Sequence, residues 1–195
     1  VADSLIAGTY LVTITDGNLC SFDSTITITA PSVLASAFVN YAITPGGTDI
    51  ACNGQTTGQS KITVSGGTPP YSYLWNTGST IDSIINRGAG IYDVVITDFN
   101  GCTQSMIDTI TEPAVLASTL NVRNVACKGE ASGYIIANLT GGSPAYSYAW
   151  TPNISTNDSA YLIPAGFYSL TTTDLNGCTK IDTLTITEPD TLVPL

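Results

Sequence analysis

One stretch occurs three times, and it restricts the fold more than anything else in the chain: Gly8-Thr-Tyr-Leu-Val-Thr-Ile-Thr-Asp-Gly-Asn-Leu-Cys20, Gly90-Ile-Tyr-Asp-Val-Val-Ile-Thr-Asp-Phe-Asn-Gly-Cys102 and Gly166-Phe-Tyr-Ser-Leu-Thr-Thr-Thr-Asp-Leu-Asn-Gly-Cys178. In the second copy Tyr92, Val94 and Ile96 alternate with Asp93, Val95 and Thr97, the period of a half-buried strand. Asp-x-Asn-Gly then supplies turn chemistry, since Asn and Gly accept positive φ and Asp bonds its own backbone. Each copy therefore reads as strand, tight turn, next strand. Tyr10, Tyr92 and Tyr168 recur 82 and 76 residues apart. A unit of that length buries a core of its own, unlike a short solenoid repeat.

Composition narrows the function classes. Only 10% of residues are charged, against a typical ~25%, and Thr, Ser, Ile and Val suit strands. A net charge of −10 with five Lys+Arg opposes nucleic acid and anionic lipid. No apolar run reaches the ~18 residues of a membrane helix, and no signal peptide opens the chain. The chain has no histidine, which removes the Ser/His/Asp triad, the Cys/His pair and the His-Glu-x-x-His helix. No Gly-rich phosphate loop opens a helix, and no carboxylate pair stands out as a glycosidase. The chain reads as no enzyme.

In order, residues 1–31 read as the back half of a repeat cut from a longer tandem. Residues 32–113 form a complete unit. Its expected strands run from Leu34 to Ile43, Ser60 to Ser65, Tyr71 to Trp75, Ile81 to Asn86, through the Gly90 motif, and from Thr103 to Thr111. Its loop Pro45-Gly-Gly-Thr-Asp49 has no counterpart in the next unit. Residues 114–189 repeat the pattern almost residue for residue, and residues 190–195 look like the entry to a further unit or a linker. Linkers are short, so neighbours sit close. Seven or so short strands per ~80 residues around a central-strand Trp predict an all-β chain of tandem immunoglobulin-like β-sandwiches. The Gly-x-Tyr opening is similar to a tyrosine corner.

The order Cys-x-Gly, Gly-Gly-x-Pro-x-Tyr, Tyr-x-Trp, Gly-x-Tyr, Thr-Asp-x-Asn-Gly-Cys, Glu-Pro resembles the SprB repeat across essentially the whole chain. The resemblance implies immunoglobulin/PKD-like modules of very long Bacteroidota surface adhesins. It further implies type IX secretion, an extracellular cell-surface location, filaments and gliding motility. The first copy departs from the pattern: it has Gly-Asn-Leu-Cys in place of x-Asn-Gly-Cys, so a different turn type is expected there.

Each complete repeat has two cysteines, Cys52 with Cys102 and Cys127 with Cys178, separated by 50 and 51 residues. In an oxidising compartment the expected bonds are Cys52–Cys102 and Cys127–Cys178, contributing about 3–4 kcal/mol through loop closure. Cys20 is expected to bond a partner outside the chain. The rival pairing, Cys20–Cys52 and Cys102–Cys127, crosses repeat boundaries, and a last strand of about ten residues carries the chain ~30 Å first. Spacing alone does not fix connectivity. An in-repeat bond requires the first cysteine to reach the pole of the hairpin turn.

Other residues admit two readings. Tyr71, Tyr73 and Trp75, like Tyr146, Tyr148 and Trp150, share one strand face; core packing is preferred over sugar stacking. Asp98 with Asn100 and Asp174 with Asn176, like Asp16 with Asn18, offer oxygens to calcium, but too few for its six to eight ligands, and the turn reading is preferred. No other cofactor is expected. Seven Asp-Ser/Thr pairs precede Ala, Ile, Leu or Thr, at what read as two equivalent places per repeat. They are similar to the Bacteroidota O-glycosylation motif and mark Ser4, Ser24, Ser83, Thr109, Ser159, Thr183 and Thr191. The sequons at Asn138, Asn153 and Asn157 matter only in a host with N-linked transfer. The expected function is a segment of a repetitive extracellular adhesin or filament. Its partners are neighbouring repeats, a surface or polysaccharide of unspecified kind, and further copies in a filament, with neither nucleic acid nor membrane insertion. The alternative is a carbohydrate-binding or spacer array of a secreted polysaccharide-degrading enzyme.

Overall fold

The computed structural model describes residues 3–39, 41 and 44–191. In chain order the described strands are β1 (Gly8–Thr15), β2 (Ser21–Ile28), β3 (Ala35–Phe38), β4 (Gly58–Ser65), β5 (Ser72–Trp75), β6 (Ser83–Arg87) and β7 (Gly90–Thr97). There follow β8 (Thr103–Ile110), β9 (Ala117–Arg123), β10 (Gly133–Thr140), β11 (Ser147–Thr151), β12 (Ser159–Ile163), β13 (Gly166–Thr173) and β14 (Thr179–Ile186). The sheets are β1–β2, then β3–β4–β6 with β5–β7–β8, then β9–β10–β12 with β11–β13–β14. The chain is an all-β tandem of immunoglobulin-like sandwiches, each setting a three-stranded sheet against another.

The three recurring stretches fold alike because their alternation and turn residues are alike. Gly8 pairs with Ile28, Gly90 with Ile110 and Gly166 with Ile186, and each hairpin closes in the same register on its turn. In β7 the face carrying Tyr92, Val94 and Ile96 goes inward: Val94 and Ile96 are buried, and Tyr92 packs beside them. One core gathers Ile62, Trp75, Ile84, Val94 and Ile96; the other includes Ile135, Trp150, Tyr168, Leu170 and Ile186. In β1 the residues matching Val94 and Ile96 are Val12 and Ile14, 39% and 61% exposed, because no second described sheet covers that hairpin.

Two local expectations change. The first turn is not of a different type. Leu19 takes φ 66° where Gly101 and Gly177 take 85° and 84°, and Leu19 N–H donates to Asp16 O just as Gly101 N–H donates to Asp98 O. The register of the hairpin dictates this conformation, so leucine adopts the left-handed region that glycine enters more easily. The first strand of the middle unit is also shorter than Leu34 to Ile43. β3 ends at Phe38, one further bond joins Val39 N–H to Lys61 O, and Asn40, Ala42 and Ile43 lie outside the described residues. So do 192–195 of the expected further unit.

Candidate functional site

At one pole of each sandwich the hairpin turn is clamped by its aspartate. Asp174 Oδ1 accepts the N–H groups of Asn176 and Cys178, both at 2.9 Å, and Oδ2 accepts Ser143 N–H at 2.8 Å. Asp98 does the same with Asn100, Cys102 and Thr68 at 3.0, 2.8 and 2.9 Å. Burial opposes the Asp98 charge, but the N–H groups of Thr68, Cys102 and Asn100 outweigh it and hold the carboxyl below the usual range. The Gly-Gly pair is needed here: Gly142 sits at φ 60°, and a Cβ on it would lie 2.7 Å from Asp174 Oδ2. The calcium candidates Asp98 and Asp174 therefore spend their oxygens on backbone donors. Among the described residues no three His, Cys, Asp or Glu side chains gather as a metal site.

The opposite pole is built from two motifs far apart in sequence, Cys-x-Gly and Glu-Pro, that recur together in each repeat. Glu112 Oε2 accepts Gly54 N–H at 2.7 Å and its Oε1 accepts from Asn53 Nδ2 at 3.0 Å. Glu188 Oε2 accepts Gly129 N–H, also at 2.7 Å. The glutamate of Glu-Pro thus holds the Cys-x-Gly loop, and Ile50 and Val125 N–H groups bond Thr111 O and Thr187 O just above it. The first cysteine of a repeat is fixed where the last strand ends.

This geometry overturns the expected in-repeat disulfides. Cys102 precedes β8 and the Cys52 loop is clamped beyond its far end; eight strand residues put ~25 Å between them, against a Cα separation of at most ~7 Å for a bond. Cys52 is bonded instead to Cys178, with Cα atoms 5.7 Å apart and a sequence separation of 126. Neither Cys52–Cys102 nor Cys127–Cys178 exists, and neither does the rival Cys20–Cys52 with Cys102–Cys127. Cys20, Cys102 and Cys127 are exposed thiols. The bond joins the base of the β3–β8 sandwich to the turn pole of the β9–β14 sandwich.

Asn176, the other calcium candidate in that turn, seals the junction. Its Nδ2 donates to Ala51 O at 2.9 Å and approaches Ser143 Oγ and Thr44 Oγ1, at 2.8 and 3.3 Å. Its Oδ1 accepts Gly46 N–H at 2.9 Å. Loop 44–51, the insertion lacking a counterpart, is thus the lip that grips the next repeat. Gly46 lies so close that a Cβ on it would meet Ser143 Cβ at 2.6 Å. Asn100 is the matching residue one repeat earlier, and among the described residues its Nδ2 donates to Thr68 Oγ1 within its own sandwich.

The aromatic rows are core. Trp75 and Trp150 are 1% and 4% exposed, and their Nε1–H groups donate to Ile81 O and Asn157 O. The tyrosine corner is present three times: Tyr10, Tyr92 and Tyr168 hydroxyls donate to the carbonyls of Ile6, Gly88 and Pro164, each four residues back. Of the glycosylation candidates, Ser4, Ser24, Thr109, Thr183 and Thr191 are exposed, while Ser83 and Ser159 are half-buried. Ser83 and Ser159 open equivalent strands. Thr109 and Thr183 lie on equivalent strands, β8 and β14, but not at equivalent positions, because Ile110 and Ile186 are the matching residues.

What this defines is a class: a tandem of β-sandwich repeats with a built joint between consecutive members. Residues 47–80 and 119–153 match the family model described as the SprB repeat. These two segments are similar to the SprB repeat, and each match runs from before the first cysteine of its sandwich to just past the tryptophan. No curated protein matches the chain by sequence. Two solved structures are similar, each at 13% identity. The N-terminal eight Ig domains of Down Syndrome Cell Adhesion Molecule isoform 1.30.30 give a TM-score of 0.46 over 87% of this chain and 26% of that chain. Murine CEACAM1b gives 0.30 over 67% of this chain and 92% of that chain. This chain therefore spans about a quarter of the first structure's length. Among the described residues no helix is long and apolar enough to cross a membrane, which says nothing of a β-barrel.

Proposed function

We propose that this chain is a stretch of a long, repeat-built extracellular adhesin, serving as a stiff spacer that holds an adhesive region away from the cell. The observation carrying this reading is the joint itself: a covalent bond and the Asn176 bonds fix one sandwich on the next. Disulfides persist outside the reducing cytosol, which supports an extracellular place. The two SprB-repeat matches support surface adhesion, and on the same ground we extend the reading to type IX export and gliding motility. Neighbouring repeats are its partners, with no bound cofactor. The exposed hydroxyls of Ser4, Ser24, Thr109, Thr183 and Thr191 support O-glycosylation of the outer surface; unmodified peptides at all of them in native material would refute that part. Burial of both tryptophans supports the spacer reading over the sugar-binding alternative.

Immunogold labelling of intact source cells with an antibody to residues 32–189 tests the reading. Gold on filaments standing off the cell is the expected result. Gold confined to the envelope, or antigen found only in the medium, would overturn it.

A further inference from the structure

The three free thiols are not random leftovers. Each stands at a pole that matches one half of the joint already made. Cys52 occupies the base of one sandwich with Ala51, Asn53 and Pro113; the same places in the next sandwich hold Cys127 with Ala126, Lys128 and Pro189. At the made joint, a hollow is lined by Cys52 and Asn53 from one repeat and by Gly177, Cys178 and Thr179 from the next. At the base of the β9–β14 sandwich, a hollow of about 430 Å³ is lined by Ala126, Cys127, Lys128, Pro189, Asp190 and Thr191. Among the described residues it presents the first half of that lining without the second. The other half is presented around Cys102, where Val33, Leu34, Gly67 and Asp98 line a hollow of about 340 Å³. These match Val115, Leu116, Gly142 and Asp174 at the turn pole that Cys52 reaches.

We propose that the Cys52–Cys178 bond is one stitch of a staggered ladder, in which the first cysteine of every repeat bonds the turn cysteine of the next. Cys127 takes the turn cysteine of another repeat of this kind, and Cys102 and Cys20 each take the first cysteine of one. The occupant is a second SprB-type repeat because a turn pole of this kind already sits on the equivalent base at Cys52. The oxidant is a small disulfide such as oxidised glutathione. The Cys127 thiolate attacks one of its sulfurs and expels a thiol; the incoming turn thiolate then attacks Cys127 Sγ and expels the second. Two electrons pass to the oxidant, and the two cysteine protons end on the two released thiols. The inference rests on the tandem arrangement and not on adhesion, so absence of filaments on cells leaves it standing.

The test keeps residues 1–189 and appends a second copy of 114–189, so that Pro189 meets Ala114 as Pro113 does. The chain is folded in oxidised and reduced glutathione, alkylated, and mapped by mass spectrometry without reduction. Cysteines rise from five to seven, yet three free thiols should remain, as in the parent. Cys127 should be joined to the turn cysteine of the added copy, and Cys52–Cys178 should persist as an internal control. In Cys127→Ser the added turn cysteine should become alkylated while Cys52–Cys178 is unchanged. The proposal is overturned if the added copy bonds its own two cysteines, if Cys127 is alkylated while Cys52–Cys178 is intact, or if Cys52–Cys178 itself is missing.

Discussion

Asp174→Ala removes the turn clamp where it is most buried. Three N–H donors lose their acceptor. Ser143 is 2% exposed, so its freed N–H cannot be rehydrated, and an unpaired buried donor costs about 2 kcal/mol. The Asn176 and Cys178 N–H groups lie nearer solvent and contribute about 1 kcal/mol each. The β9–β14 sandwich should therefore lose about 4 kcal/mol. Hydrogen exchange read strand by strand measures this, under conditions where closing outpaces exchange. The slowest amides of β13 and β14 should exchange about a thousandfold faster, since 1.4 kcal/mol is tenfold, while those of β7 stay as they were. Asp174→Asn keeps an oxygen for Asn176 and Cys178 but turns an amine toward Ser143 N–H. It should cost about half as much, roughly a thirtyfold acceleration. Less than tenfold for the alanine variant, or equal acceleration in β7, would refute the clamp.

Four further outcomes follow from the same contacts. Asp98 has a lowered folded pKa, so its stabilisation is complete above about pH 4 and is lost as pH falls through the folded value; Asp98→Asn should flatten the acid limb of urea melts read by Trp75, and an unchanged limb contradicts this. Burial raises Tyr73, with Asp82 adding to it, and likewise Tyr148, with Asp158, and Tyr168. Their stabilisation is complete below about pH 10 and is lost as pH rises through the folded values, so tyrosinate absorbance should rise in two phases, the later one coinciding with unfolding; a single early phase would sink the argument. Leu19→Gly relieves a left-handed leucine and should slow exchange in β1 and β2 by an amount equivalent to about 0.5–1 kcal/mol; faster exchange would show the strain is absent. Asn176→Ala should expose loop 44–51 to limited proteolysis at least about tenfold more readily, with Asn100→Ala as the silent control; equal cleavage in both would remove Asn176 from the joint.

The strands and the core were legible because alternation, turn residues and the aromatic row each occur in register more than once. Tyr92, Val94, Ile96 and Trp75 went where their period put them. The disulfides were not legible, since 50 and 51 residues of spacing fit an in-repeat bond as well as any other. What decides is which pole each cysteine occupies. A signal for that was present: the Cys-x-Gly and Glu-Pro motifs recur together, and a glutamate that clamps Gly54 or Gly129 drags the first cysteine to the far end of the last strand. Strand length then forbids the in-repeat bond. The insertion at Pro45–Asp49 was visible as an extra loop, but its grip on Asn176 depends on a neighbour 130 residues away, which no local pattern encodes.

Cys52 and Cys178 stand 126 residues apart in sequence, and tension applied to the two ends crosses from one sulfur to the other. An unbonded sandwich that unravels lengthens by about 3.4 Å per residue; the bond withholds ~430 Å of that extension. With a stitch at every joint, the shortest covalent route over two repeats is the 25 residues from Cys102 to Cys127, ~85 Å when straight. The uncrossed backbone over the same two repeats, 158 residues from Tyr10 to Tyr168, straightens to ~540 Å. Two folded sandwiches already reach ~60–80 Å. Almost no slack is left to pull out, so such a fibre behaves as an inextensible cable that transmits force to its anchor, where an unstitched tandem would yield one module at a time like a shock absorber.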